Sequence, residues 1–266
     1  MNQSKHLTAN LPDKEIHLFV CQPEQISDPE LLSQYAELLS EQERSRLPRF
    51  HHQRHRHQYL VTRALQRHCL SVFSEIQPQQ WQFETGTYGK PVVDQPEHQN
   101  HLSFNLSHTN GLVVCAITRN TELGVDVEDQ QRSTRAAYDQ LFSYFSKAEI
   151  AQLEQLPQAR LKRRFFEHWT LKEAYIKARG AGFAIPLKQF GFLFEQDHPA
   201  AFFVDPSLND NATDWQFWQG DYTQRYTIAL ALHSRFPDQK LITHECVPLQ
   251  STHQCSEIEF LRLATH

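Results

Sequence analysis

Leu123-Gly124-Val125-Asp126-Val127-Glu128 reads as a short strand, and the rest of the chain is understood outward from it. Side chains alternate across a strand, so Asp126 and Glu128 share one face while Val125 and Val127 share the other. Alone, such a pair is more often a solvent-facing polar edge than a metal site. A second stretch changes the weighing: Phe165-Phe166-Glu167-His168-Trp169-Thr170-Leu171-Lys172-Glu173-Ala174-Tyr175-Ile176-Lys177. It belongs to a helix expected over about 159–179, with Gly180 as its C-terminal stop. Leu161, Phe165, Trp169 and Ile176 form an apolar stripe. Glu173 borders that stripe, and Lys177 follows one turn later on the same side. A carboxylate partly desolvated among aromatics needs a partner. Lys177 or Lys172 can serve, and so can a cation shared with Asp126 and Glu128. Together the stretches point to a site for a divalent cation and a phosphorylated ligand.

Composition narrows the class. The 266 residues allow one large domain or two lobes. A formal charge of −5 argues against bulk attraction to nucleic acid or an anionic membrane, so any anion grip must be local. The five cysteines form no CxxC pair, which suggests reduced thiols rather than a zinc site or disulfide framework. Met1 to Lys14 is polar, without the apolar core of a signal peptide, and no run approaches the ~20 apolar residues of a membrane span. A cytoplasmic protein is expected. In Arg49-Phe50-His51-His52-Gln53-Arg54-His55-Arg56-His57 the arginines oppose a cation, so the histidines there are not read as a metal site.

Upstream, Ile16 to Val20 alternates as a strand, and Ser40-Glu41-Gln42-Glu43 is a capping box. A long helix is expected from about His52 to Phe73. Val61, Leu65, Cys69 and Val72 share one side; Arg56, Arg63 and Arg67 share the other, as a solvated basic face or a phosphate grip. Trp81 to Phe83 reads as a strand, and Thr85 to Pro91 as a turn carrying Lys90. Strands at His101 to Ser107 and Val113 to Thr118 flank an Asn110-Gly111 hairpin. Ser107 and His108 alone do not make a hydrolase. Ser146-Lys147-Ala148-Glu149 is a second capping box. Strands at Phe190 to Phe194, Ala201 to Val204, Trp215 to Trp218 and Tyr226 to Leu232 are expected to form the sheet under the key helix. The expected division is an N-terminal lobe 1–122, a C-terminal lobe 123–237 carrying the metal site, and a tail 238–266.

Gly124 to Glu128, combined with Glu173 in Trp169-Thr170-Leu171-Lys172-Glu173-Ala174-Tyr175-Ile176-Lys177, closely resembles the signature of the 4'-phosphopantetheinyl transferases. Tyr88-Gly89-Lys90-Pro91 and Phe104-Asn105-Leu106-Ser107-His108 are similar to two further motifs of that family, in the same order. The length is similar to its larger, monomeric type, the surfactin-synthetase-activating kind. The resemblance spans about 39–186.

The resemblance implies an α+β fold of two similar α/β lobes related by a pseudo-two-fold, with coenzyme A in a cleft between them. It implies transfer of the phosphopantetheine arm of coenzyme A to a serine of an acyl or peptidyl carrier protein, releasing adenosine 3',5'-bisphosphate. Asp126, Glu128 and Glu173 fall on the family's magnesium positions. Glu173 falls on the glutamate proposed to take the serine proton, with Glu128 as the competing choice. Lys177 falls on a pyrophosphate contact. Lys90, Ser107 and His108 fall on contacts to the coenzyme A phosphates and nucleotide, and Arg46, Arg49, Arg63 and Arg67 on its basic N-terminal contacts. Lys172 is placed with the cofactor-binding set. Two other readings stay open: a non-catalytic coenzyme A or carrier-protein binding module, and a metal-dependent phosphohydrolase. Fatty-acid, polyketide and nonribosomal-peptide carriers all fit.

Overall fold

Local signals set most element boundaries. The computed structural model describes residues 11–86, 89–94, 102–132, 144–234, 236 and 238–264. Tyr88, His101, Pro237 and the first ten residues, which figure in the sequence reading, lie outside the described residues. In chain order the regular elements are β1 (Glu15–Cys21), α1 (Pro29–Glu37), α2 (Glu41–Arg44), α3 (Gln53–Val72), β2 (Phe83–Thr85), β3 (Pro91–Val93), β4 (Leu102–Thr109), β5 (Leu112–Arg119) and β6 (Leu123–Asp129). There follow α4 (Lys147–Glu154), α5 (Gln158–Arg179), β7 (Phe190–Glu195), β8 (His198–Val204), β9 (Trp215–Tyr222), β10 (Tyr226–His233), β11 (Lys240–Val247), β12 (Ser251–Gln254) and β13 (Leu261–Ala264).

Ser40 opens α2 and Ser146 opens α4, each in a reciprocal capping box that satisfies two otherwise orphaned donors. Gly180 ends α5 at φ 63°, a left-handed conformation that a glycine adopts without a Cβ clash. Thr109 pairs with Leu112 around the two-residue turn Asn110-Gly111.

The chain divides into two compact units. The first comprises 1–85, 91–120 and 239–256. Its sheet has the order β12-β11-β1-β5-β4, antiparallel except for the parallel pair β1–β11. Val61, Ala64, Leu65 and Cys69 of α3 are fully buried in a core shared with Phe19, Cys115 and Ile117. The second comprises 86–90, 121–238 and 257–266. Its antiparallel sheet has the order β13-β9-β10-β6, and α5 lies on β6 and β10. Leu171, Ala174, Tyr175 and Ala178 of α5 share a core with Phe190, Phe217, Ala229 and Ala231. The same succession occurs in both units: a strand, a long helix, a small hairpin, then a second hairpin that joins the sheet.

Three expectations are corrected. Trp81 is not in a strand; it is buried ahead of β2, donating Nε1–H to Ser71 Oγ at 2.8 Å. β7 and β8 pair only with each other among the described residues, not with the sheet under α5. The stretch from Asp238, read as a tail, carries three strands: β11 and β12 complete the first unit's sheet, and β13 edges the second's. Its half-polar composition reflects strands exposed on one face.

Candidate active site

The second unit gathers an acidic group where β6 lies against α5. The approach depends on Gly124. A Cβ there would lie 2.0 Å from the Ala174 carbonyl oxygen and 2.4 Å from the Ala178 nitrogen. With no side chain at 124, strand and helix backbones come close enough for Asp126 to reach α5. Lys177 Nζ donates to Asp126 Oδ1 at 2.7 Å. Asp126 is nearly buried, and Val125 and Val127 are fully so. Glu128 keeps 13% of its side chain exposed and accepts from Arg132 Nη1 at 3.3 Å.

Glu173 lies in the same field. Its Oε1 is buried with no hydrogen-bond partner in the protein. Burial pushes its carboxyl up to about 7, the charges of Asp126 and Glu128 push the same way, and Lys177 opposes them. Glu128 is also raised to about 7, by burial and then by Asp126, against Arg132 and Lys177. Lys177, with the exposed Arg132 on Glu128, therefore offsets three acids, and two of the acids resist ionising. A divalent cation would relieve that repulsion and satisfy the stranded oxygen. Three carboxylates are hard oxygen donors of the kind magnesium takes. As the side chains stand, the trio is more open than a closed ligand set. Among the described residues, the group whose ligand atoms all lie within 4.8 Å of one another is instead Glu245, Cys255 and Glu257, at least half of it solvent-facing.

The other expected site residues divide sharply. Lys172 is a correction: it is fully buried and points away from Glu173. Its Nζ donates to Glu149 Oε2 at 2.8 Å and to the Phe190 carbonyl at 2.6 Å, so it is not presented to a ligand. Arg67 is likewise not an open phosphate grip. It is 2% exposed and bound through both terminal nitrogens to Glu43, at 2.6 and 3.3 Å. Arg63 is part-buried, donating to Gln66 Oε1 at 2.8 Å. Lys90 Nζ donates to the Leu123 and Ala178 carbonyls at 3.1 and 3.3 Å, and burial lowers its pKa. Arg46, Arg49 and His108 are exposed, while Ser107 is buried on β4. Asp126, Glu128, Glu173, Lys177, Lys172 and Lys90 belong to the second unit; the arginines, Ser107 and His108 belong to the first.

Two contributors escape the sequence reading. Gly124 has a packing role visible only when β6 meets α5. Glu149 reads from sequence as the end of a capping box, yet its carboxylate also receives Lys172. Burial opposes its ionisation, but His168 and Lys172 together hold the carboxyl down at about 2. His168 Nδ1 stands 3.5 Å from Glu149 Oε1, too long for a well-formed hydrogen bond, so the lysine is the better-made partner.

Two family profiles match the chain. One, described as the 4'-phosphopantetheinyl transferase superfamily, covers residues 122–231. The other, 4'-phosphopantetheinyl transferase, N-terminal, covers residues 27–120. Among curated relatives, 4'-phosphopantetheinyl transferase HetI of Nostoc sp. (strain PCC 7120) is 33% identical over 173 residues, spanning 64% of this chain and 70% of that protein. 4'-Phosphopantetheinyl transferase Sfp of Bacillus subtilis is 27% identical over 214 residues, spanning 79% of this chain and 90% of that protein. 4'-Phosphopantetheinyl transferase gsp of Aneurinibacillus migulanus is 39% identical over 108 residues, 41% of this chain and 42% of that protein.

Proposed function

The chain belongs to the 4'-phosphopantetheinyl transferases, and from that premise we propose that Asp126, Glu128, Glu173 and Lys177 form its reaction centre. As a member it transfers the phosphopantetheine arm of coenzyme A to carrier proteins. The carrier serine Oγ forms a bond to the β-phosphorus of coenzyme A. The bond from that phosphorus to the bridging oxygen breaks, adenosine 3',5'-bisphosphate leaves, and the serine proton passes to a base on the enzyme.

The observation that carries the assignment is the crowding of three carboxylates around Lys177 and the exposed Arg132, with Glu173 Oε1 buried and without a hydrogen-bond partner. Asp126, Glu128 and Glu173 would hold magnesium, which supplies positive charge to a pyrophosphate and offsets the charge developing in phosphoryl transfer. Lys177 adds a second positive charge to the same group. Glu173 is the proposed proton acceptor. Its Oε1 is buried with no hydrogen-bond donor in the protein, which leaves it open to receive the proton. Glu128 is the alternative. The pH–rate profiles of Glu173→Gln and Glu128→Gln, with metal occupancy checked, separate the two. Unchanged turnover in Glu173→Gln removes it from the mechanism.

The two units, with their shared succession of elements, are proposed as the two similar lobes of the implied fold, with coenzyme A held between them. The basic contacts of the first unit rest on Arg46, Arg49, Arg63 and His108, with Arg67 supporting rather than gripping. Among the described residues no helix is long and apolar enough to cross a membrane. A monomer working in the cytoplasm is part of the proposal.

The test is to incubate an unmodified carrier protein with coenzyme A and magnesium and weigh the carrier. A gain of one phosphopantetheine arm on serine supports the proposal. Binding without the gain points to a non-catalytic module, and phosphate release without modification points to a hydrolase.

A further inference from the structure

The helix that presents Glu173 and Lys177 is held from its other side by a buried ion pair. Glu149 receives five hydrogen bonds from three elements. Ser146 N and Oγ donate to its Oε2 at 2.8 and 2.9 Å, from the cap of α4. Lys172 Nζ, in the middle of α5, reaches Oε2 at 2.8 Å and Oε1 at 3.1 Å. Phe192 N, in β7, donates to Oε1 at 3.1 Å. Both charged side chains are 0% exposed, and Phe145 and Phe190 lie over the ammonium.

The carboxylate has little room to drift. A Cβ at Gly191 would sit 2.5 Å from its Cδ, so β7 lies directly against it. Lys172 is tied at a second point to the Phe190 carbonyl, at 2.6 Å. One turn earlier on the same side of α5, His168 is also fully buried, with Nδ1 3.5 Å from Glu149 Oε1. The hydrogen-bonded tie from α5 to that carboxylate is therefore Lys172, with His168 packed beside it.

A buried ion pair is a poor device for stability alone, because desolvation offsets most of the attraction. What it supplies is a single allowed geometry. Consecutive helical residues are about 100° apart, so anchoring Lys172 also sets the direction of Glu173. A roll error of about 20° moves a group ~6 Å from the helix axis by roughly 2 Å. That exceeds the ~0.5 Å within which a catalytic group must be held.

We propose that Glu149 is a positioning residue: through Lys172 it fixes the roll of α5 at which Glu173 and Lys177 meet Asp126. The consequence for catalysis rests on the transferase reading of the acidic site. Lys172, though it neighbours Glu173 in sequence, acts through Glu149 and not on the substrate.

The test uses the full chain carrying Glu149→Gln with Lys172→Met, which removes both charges at nearly constant volume. Three readouts are taken: thermal unfolding, Mn2+ titration of the protein alone by water-proton relaxation, and carrier modification kinetics. The expected result is an unfolding midpoint within a few degrees of the unsubstituted protein, Mn2+ affinity and kcat each lowered about 10- to 100-fold, and a KM for coenzyme A within about threefold. Unchanged Mn2+ affinity and kcat in the folded double variant overturn the proposal. So does a tenfold higher KM with kcat retained, which would make Lys172 a ligand contact. Should the double variant not fold, Glu149→Asp keeps the charge and retracts the anchor by one methylene, and the same readouts decide in the same way. If the unsubstituted chain modifies no carrier, the transferase reading fails, and the Mn2+ titration still judges the positioning role.

Discussion

Gly124→Ala is the most economical way to break the site without touching a charged group. The added Cβ would lie 2.0 Å from the Ala174 carbonyl oxygen, where ordinary contact begins at 3.4 Å, so β6 and α5 must part by about 1.4 Å (3.4 − 2.0). The colliding atoms are helix backbone on both counts, Ala174 O and Ala178 N, so no rotamer change relieves them. The Lys177–Asp126 contact of 2.7 Å would open by a comparable amount, to about 4 Å, beyond hydrogen-bonding range. Over-packing costs roughly 1–3 kcal/mol, and rigid backbone places this case near the upper end. At about 2–4 °C per kcal/mol, the melting temperature should fall by about 6–12 °C. A misplacement of about 1 Å at a reacting centre lowers turnover on the order of 100-fold. Circular dichroism melting and mass-resolved carrier modification measure the two effects. Ala174→Gly should not rescue either, because the clash is with a carbonyl and not a methyl. A Gly124→Ala protein that melts within 2 °C of the unsubstituted chain and turns over within twofold of it would refute the argument.

Asp126→Asn removes a ligand and Lys177's partner together; Mn2+ binding should be lost and turnover should fall by at least about 100-fold, read by relaxation titration and carrier modification, with circular dichroism unchanged. Magnesium should raise the melting temperature of the unsubstituted chain and not that of Asp126→Asn, since a ligand stabilises only the state that binds it. Arg67→Met should destabilise the first unit by about 3 kcal/mol, because it leaves Glu43 without its bidentate partner, while a melting-corrected KM for coenzyme A stays near its starting value. Acid should weaken the first unit through His17 and His244, which share a 2.8 Å contact and are almost wholly buried. Burial lowers His244 from 6.5 to about 4, so the folded state stays neutral while the unfolded chain takes up a proton. Stability is therefore full above about 6.5 and falls as the pH drops toward about 4, by on the order of 3 kcal/mol for this residue, measurable as urea midpoints across that range.

What the sequence revealed was whatever is decided locally. Ser40 and Ser146 announce their helices by the glutamate three residues on, Gly180 ends α5, and Asn110-Gly111 closes a hairpin between alternating runs. The acidic trio was legible because a strand's alternation and a helix's turn put each carboxylate on a definable side. Choices made at long range were not. Nothing near Lys172 says whether it faces Glu173's site or the interior; Glu149, which settles it, is 23 positions away. Arg67 looked like one of a row of exposed guanidiniums until Glu43, 24 positions earlier, was found across it. β11 was hidden because a half-polar strand owes its place to the neighbour it pairs with.

That neighbour has a bearing on how the protein is made. β11 runs parallel to β1, and the pairing brings together His17 and His244, 227 positions apart. Residues 121–238 emerge from synthesis as one continuous stretch holding three of the four strands of their own sheet, along with α5. The first unit, although begun earlier, waits with one side of β1 bare until Lys240 to Val247 arrives. An unpaired apolar strand edge invites association with other chains. Neither sheet is complete until the C-terminal segment arrives, since β11 and β12 close the first unit's sheet and β13 edges the second's, and a chain cut short before Lys240 should be lost to aggregation, not merely to inactivity.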